Sequence, residues 1–149
     1  MFKFQLEAVL NYRKLREEEC EKQLGELNRL LHKEKQTLTS YVSSEKGYRE
    51  ELCKKQSYGI TAFETQWYLS FFDMLTTKIK GQERIIKSTE KRIEEKRQEL
   101  VKASQEKKII EKLKEKKLNQ FNKELNRKEQ MLFDESGAYR HYFLPFLKK

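Results

Sequence analysis
The chain has 149 residues, 38% of them charged and 36% hydrophobic, with a formal net charge of +9 and a pI near 9.4. With 5 glycines and 1 proline it lacks the turns that a β-rich fold needs, and its regularly spaced leucines separate it from a disordered chain. A composition rich in Glu, Lys, Arg, Leu and Gln belongs to long helices or a coiled coil, and the length belongs to one domain.

From Leu6, alternating steps of four and three reach Leu10, Arg13, Glu17, Cys20, Leu24, Leu27, Leu31, Glu34, Leu38, Tyr41, Glu45, Tyr48 and Leu52. Most of these are apolar, so they describe a narrow seam along a first helix, expected over residues 5–56. Glu17, Glu34 and Glu45 interrupt the seam, weakening packing while helping to set register. Glu18/Lys22, Glu50/Lys54 and Glu51/Lys55 stand four apart, the spacing of supporting ion pairs on the outer faces.

A turn is expected over 57–62. Gly59 is a natural helix stop, and Thr61 with Glu64 has the spacing of a capping box opening a second helix over 63–136. Along that helix Phe72, Ile79, Ile86, Ile93 and Leu100 recur every seven residues, with Leu75, Thr89, Ala103 and Ile110 between them. Leu113, Leu118, Phe121, Leu125 and Leu132 continue the face after a shift of phase, which reads as a stutter. Gly81 costs this helix about 1 kcal/mol. Ser136-Gly137 marks its expected end, and residues 137–149 form a tail in which Pro145 argues against helix. The expected fold is therefore all-α: a single long two-helix antiparallel coiled-coil hairpin. Six rings crowd between Tyr58 and Phe72, around the turn; Phe63, Trp67 and Phe72 are expected to pack the tip. Tyr41, Tyr48, Phe71 and Leu75 gather near the same end from both arms, and rings left partly open there favour a partner.

Catalytic chemistry finds no footing. A slender hairpin offers no pocket, no GxxxxGK[ST] or GxGxxG loop occurs, and the glutamates stand among lysines and arginines on helix surfaces. His32 lies among charged neighbours and His141 has no second ligand at metal spacing, so no metal, cofactor or enzymatic activity is expected. Cys20 and Cys53 are far apart and read as reduced thiols. The first ten residues lack the apolar core of a secretory signal, and no apolar run approaches the ~20 residues of a membrane span. The positive charge calls for an acidic partner. Nucleic acid is one reading of EKKIIEKLKEKKLNQFNKELNRKEQ. Against it, Glu106, Glu111, Glu115 and Glu124 are interleaved with the lysines, and no basic-zipper or helix-turn-helix signature appears. A solvated lysine-rich helix is the plainer reading, and a homodimeric coiled-coil spacer is the structural rival to a monomeric hairpin.

The opening FKFQLEAVLNYRKLREEE, anchored on Phe2, Phe4, Leu6, Val9, Leu10 and Arg13, resembles the start of the flagellar export protein FliJ family. GITAFETQWYLSFFDMLTTKI is similar to that family's glycine-plus-aromatic turn. NRKEQMLFDESGAYR, with Glu129, Asp134 and Glu135, is similar to its closing helix. The tail HYFLPFLKK has no counterpart. The resemblance implies a two-helix antiparallel coiled coil like the central shaft of rotary ATPases, in the cytoplasm at the inner face of the cell membrane. It implies a part in bacterial flagellum biogenesis and motility. The implied partners are the hexameric flagellar export ATPase, the cytoplasmic domain of the export gate protein, and export chaperones. It implies a gate-facing patch at Thr37, Tyr41, Ser44, Tyr48, Phe71, Leu75, Lys78 and Gln82. The end facing the ATPase ring is implied at Leu6, Leu10, Arg13, Leu125 and Leu132. Lys78 departs from the small apolar residue of the family pattern.

Overall fold
The computed structural model describes residues 1–143, with side chains described to residue 135. Two helices, α1 (Glu7–Tyr58) and α2 (Ala62–Phe143), make up nearly all of it, packed against each other as a helical hairpin, with no strand among the described residues. Between them Gly59 takes a φ of 99°, a left-handed conformation that side-chain-bearing residues rarely adopt. Thr61 and Glu64 form the capping box. The Glu64 N–H donates to Thr61 Oγ1 at 3.2 Å, and the Thr61 N–H donates to Glu64 Oε2 at 3.1 Å. The carboxylate so held stays below the usual Glu range, chiefly through the Thr61 backbone N–H and then its hydroxyl.

Helix α2 does not stop at Ser136-Gly137 but continues to Phe143. One glycine costs a helix about 1 kcal/mol and is not by itself a terminator. The expected tail, with His141, falls beyond the described side chains, and Pro145 falls outside the described residues.

The chain divides into two compact units. The first comprises Met1–Glu17 and the α2 residues from Ala103 onward. Here the helices run antiparallel, since partners on α1 rise in number as those on α2 fall. Phe2 meets Phe121 with ring centroids 5.7 Å apart, Glu7 Oε2 meets Lys114 Nζ at 2.7 Å, and Arg13 pairs with Glu106. Among its described residues, Leu10 and Ala103 are buried. Beyond Phe121 the periodic apolar positions Leu125 and Leu132 of α2 are 44% and 63% exposed.

The second unit, Glu18–Lys102, holds the larger core: Cys20, Tyr68, Phe72, Leu75, Ile86, Thr89 and Ile93. Again α1 and α2 are antiparallel. Lys35 reaches Glu90 at 3.3 Å, the Gln82 amide donates to the Glu34 carbonyl at 3.1 Å, and the Tyr68 hydroxyl donates to Glu51 at 2.7 Å. Every seam position of α1 from Leu6 to Leu52 is buried or half-buried, which is what a seven-residue apolar repeat produces when one neighbour covers one stripe. Of the three ion pairs expected on α1, Glu51/Lys55 closes at 3.3 Å, whereas Glu18/Lys22 and Glu50/Lys54 do not. Arg49 pairs instead with Glu45 at 2.6 Å.

Candidate interaction surface
The ring cluster beside the turn sorts differently from the expectation that Phe63, Trp67 and Phe72 pack the tip. Phe72 is buried, but Phe63 is 82% exposed and Trp67 half exposed, while Tyr68 is buried in their place. Helical spacing explains it. Tyr68, Phe72, Leu75 and Ile79 follow the covered stripe of α2, and Phe63 and Trp67 fall on the next stripe over. Tyr68 keeps its hydroxyl satisfied by reaching the rim and donating to Glu51. That bond, ahead of the one from Lys55, holds the Glu51 carboxyl below its ordinary range.

The patch expected from Thr37, Tyr41, Ser44, Tyr48, Phe71, Leu75, Lys78 and Gln82 is assembled pair by pair across the two helices. Tyr48 and Phe71 meet edge to face, with centroids 4.6 Å apart and planes at 71°. Two turns on, the Lys78 ammonium lies 5.8 Å from the Tyr41 ring. Next comes the Gln82–Glu34 bond. Ser44 is half-buried and Thr37 is exposed, its hydroxyl donating to the Lys33 carbonyl at 3.0 Å. Leu75 is buried beneath the row, so it supports the patch from below and does not face outward. Lys78, in place of a small apolar residue, spends its stem and charge on the Tyr41 ring face.

The same face continues past the expected residues. Trp67 stacks on Phe71, its centroid 5.4 Å away and its plane within 4°. Met74 and Ile85 lie 45% and 49% exposed at positions that keep helical phase with Trp67 and Lys78. Sequence reading assigned Trp67 to the tip and missed Met74 and Ile85. The spacing of 67, 74, 78 and 85 carried the signal. An edge of open rings and apolar side chains beside a half-buried tyrosine pair is suited to receiving another protein. Among the described residues there is no cluster of three or more His, Cys, Asp or Glu that could hold a metal, and no helix long and apolar enough to cross a membrane.

At the other unit the expected ring-side residues separate. Leu10 is buried, Leu6 half-buried, and Arg13 is committed to Glu106, whereas Leu125 and Leu132 lie open on α2. Glu17 meets Lys107 at 2.5 Å, and that bond holds its carboxyl below the usual range against the opposing effect of burial.

Among solved structures, one similar to this chain is that of CT670 from Chlamydia trachomatis, a candidate YscO homologue. It is 23% identical, with all of both chains covered and a TM-score of 0.60, which supports the shared fold. No curated protein matches the chain. The profile of the family described as "Flagellar FliJ protein" matches residues 2–142, nearly the whole length. The chain belongs to the flagellar FliJ protein family.

Proposed function
We propose that this protein is a coiled-coil component of the flagellar type III export apparatus that couples the hexameric export ATPase to the membrane export gate. Family membership supports the export role. The observation that supports the finer reading is the paired row Tyr48/Phe71, Tyr41/Lys78 and Glu34/Gln82, in which residues expected to face the gate meet across the two helices. In this reading the row, with Trp67, Met74 and Ile85 beside it, receives the cytoplasmic domain of the gate protein. The exposed Leu125 and Leu132 of α2, with the N-terminal segment at Leu6 and Arg13, meet the ATPase ring. The protein works in the cytoplasm as a monomer, reaches the membrane only through its partners, escorts export chaperones, and hydrolyses nothing itself.

The test is a Tyr48→Ala/Phe71→Ala variant assayed against the purified gate domain. Removing two central rings should weaken binding by at least about tenfold, given the cost of truncating interface aromatics. Helix content should stay nearly unchanged, since both residues are only half-buried. Unchanged gate affinity, or loss of helicity together with binding, would remove the patch from the proposal.

A further inference from the structure
Two sets of cations on α2 in the first unit lie on opposite faces of the helix. Lys107 and Lys114, seven apart, turn toward α1 and meet Glu17 and Glu7. Lys112, Lys116, Lys123 and Arg127 follow at steps of four, seven and four, which keeps them on one face of a 3.6-residue helix, opposite the first set. All four are exposed, and none pairs with a described carboxylate. The stripe between them holds Asn119 and Gln120, and a shallow groove there is lined by Lys112, Glu115, Lys116, Asn119, Gln120 and Lys123. Glu115 stands at the groove's edge; the other positions of the stripe carry no acid.

The charge excess is local. Residues 1–17 and 103–149 hold 16 basic against 9 acidic side chains, while residues 18–102 hold 17 against 15. A second basic row on α2, Lys80, Arg84, Lys87 and Lys91, is hemmed by Glu83, Glu94 and Glu95 within that near-neutral unit. The row from Lys112 to Arg127 therefore projects the stronger positive field.

We propose that the face carrying Lys112, Lys116, Lys123 and Arg127 is a docking strip for an acidic protein helix whose carboxylates recur along one side. Four cations spread over about four turns, ~22 Å, match a ladder of Glu or Asp at three- and four-residue spacing. The amides of Asn119 and Gln120 lie between the charges and offer donors and acceptors to a polypeptide. No ring lies on the strip to stack a base, which single-stranded nucleic acid would use. Between Lys112 and Arg127 the strip itself carries no apolar side chain to enter a bilayer, Leu113 and Phe121 being half-buried on the covered side; the exposed Ile109 and Met131 stand only at its two ends. This goes beyond the coupling role above and does not depend on it.

The probe is a fluorescent, alanine-based helical peptide with glutamates along one face, compared with an isomer whose glutamates are spread around the helix. Full-length protein should bind the one-faced peptide several-fold more tightly at about 150 mM salt. Lys112→Gln/Lys116→Gln/Lys123→Gln/Arg127→Gln should weaken that binding about tenfold and abolish the preference, four exposed pairs acting together. Glutamine keeps helix propensity close to that of lysine, and circular dichroism confirms the fold. A control that removes equal charge elsewhere, Lys22→Gln/Lys33→Gln/Lys46→Gln/Lys54→Gln, should retain the preference. The proposal is overturned by equal binding of the two peptides, by equal loss in the two variants, or by tighter binding of a duplex oligonucleotide or phosphatidylserine vesicles at the same salt.

Discussion

Two seam glutamates, Glu34 and Glu17, should respond to the same substitution with opposite sign. Glu34 occupies a seam position with its Oε2 buried and without a described partner. Its one cross-helix bond, from Gln82, is accepted by the backbone carbonyl and survives any change of side chain. Glu34→Leu removes a desolvated oxygen, a feature worth about 1–3 kcal/mol when unmatched, and adds apolar surface to a half-buried site, about 1 kcal/mol more. Part of the gain is lost because the carboxylate's second oxygen gives up its solvation, leaving a net stabilisation of roughly 1–2 kcal/mol. Glu17 is also covered, its side chain 13% exposed, but Lys107 sits 2.5 Å away. Glu17→Leu takes the carboxylate from that lysine, and the expected outcome is a loss of about 1 kcal/mol despite the added apolar contact. Denaturant unfolding followed by far-UV circular dichroism reads both. The midpoint should rise for Glu34→Leu and fall for Glu17→Leu, with little change in slope. A lower midpoint for Glu34→Leu, or a higher one for Glu17→Leu, would refute the assignment of partners along the seam.

Three further outcomes follow from the same contacts. Tyr68→Phe deletes the donor to Glu51 while preserving the buried ring, and should lower Tm by roughly 2–4 °C in a calorimetric scan. Gly59→Ala should destabilise by about 1–2 kcal/mol through its positive φ alone, since a Cβ there meets nothing within 4 Å. Gly47→Ala, in the middle of α1 and equally open, should stabilise by about 0.5–1 kcal/mol, and urea titration compares the two. Glu17, Glu51 and Glu64 all have depressed carboxyl pKa values. The stability each contributes is therefore complete above the unfolded value, about 4.3, and disappears as pH falls through the lower folded value. Melting between about pH 5 and pH 2 should show Tm falling, and the fall should be shallower in Glu17→Gln; a slope identical to that of the parent protein would rule out the Lys107 bond as its cause.

The seam of α1 was legible in the sequence because a two-helix contact covers one narrow stripe, and a seven-residue repeat has only one stripe to offer. The capping box at Thr61 and Glu64 was legible because its bonds span three residues. What the repeat does not carry is how far the partner helix reaches. Leu118, Leu125 and Leu132 keep seven-residue spacing, yet Leu125 and Leu132 are exposed; they lie on α2 beyond Phe121, which meets Phe2 of the segment before α1. The rings near the turn misled for a related reason. Bulk and proximity to the turn favoured Phe63 and Trp67 as tip packing, whereas phase along α2 decides, and phase selects Tyr68 and Phe72. Tyr41, Tyr48, Phe71 and Leu75 stood out as rings and bulk gathered from both arms at one end, and the resemblance extended them to the full expected patch. Its pairing of Tyr48 with Phe71 and of Tyr41 with Lys78 joins residues more than twenty positions apart and depends on the register between the two helices, which periodicity within either helix leaves open. The sorting of α2's lysines into a paired and an unpaired face depends on the same register.

That α1 folds back along α2 within one chain is tested most directly by a distance across the pair. Lys35 and Glu90, both exposed and 3.3 Å apart at their charged ends, can carry nitroxide labels as Lys35→Cys/Glu90→Cys after Cys20→Ala and Cys53→Ser. Double electron–electron resonance on labelled protein diluted with unlabelled protein should give about 10–20 Å, the axis separation of packed helices plus the label arms. An extended chain in a parallel dimer would put these two sites roughly 80 Å apart within one molecule, and a distance beyond the measurable range in the diluted sample would contradict the hairpin.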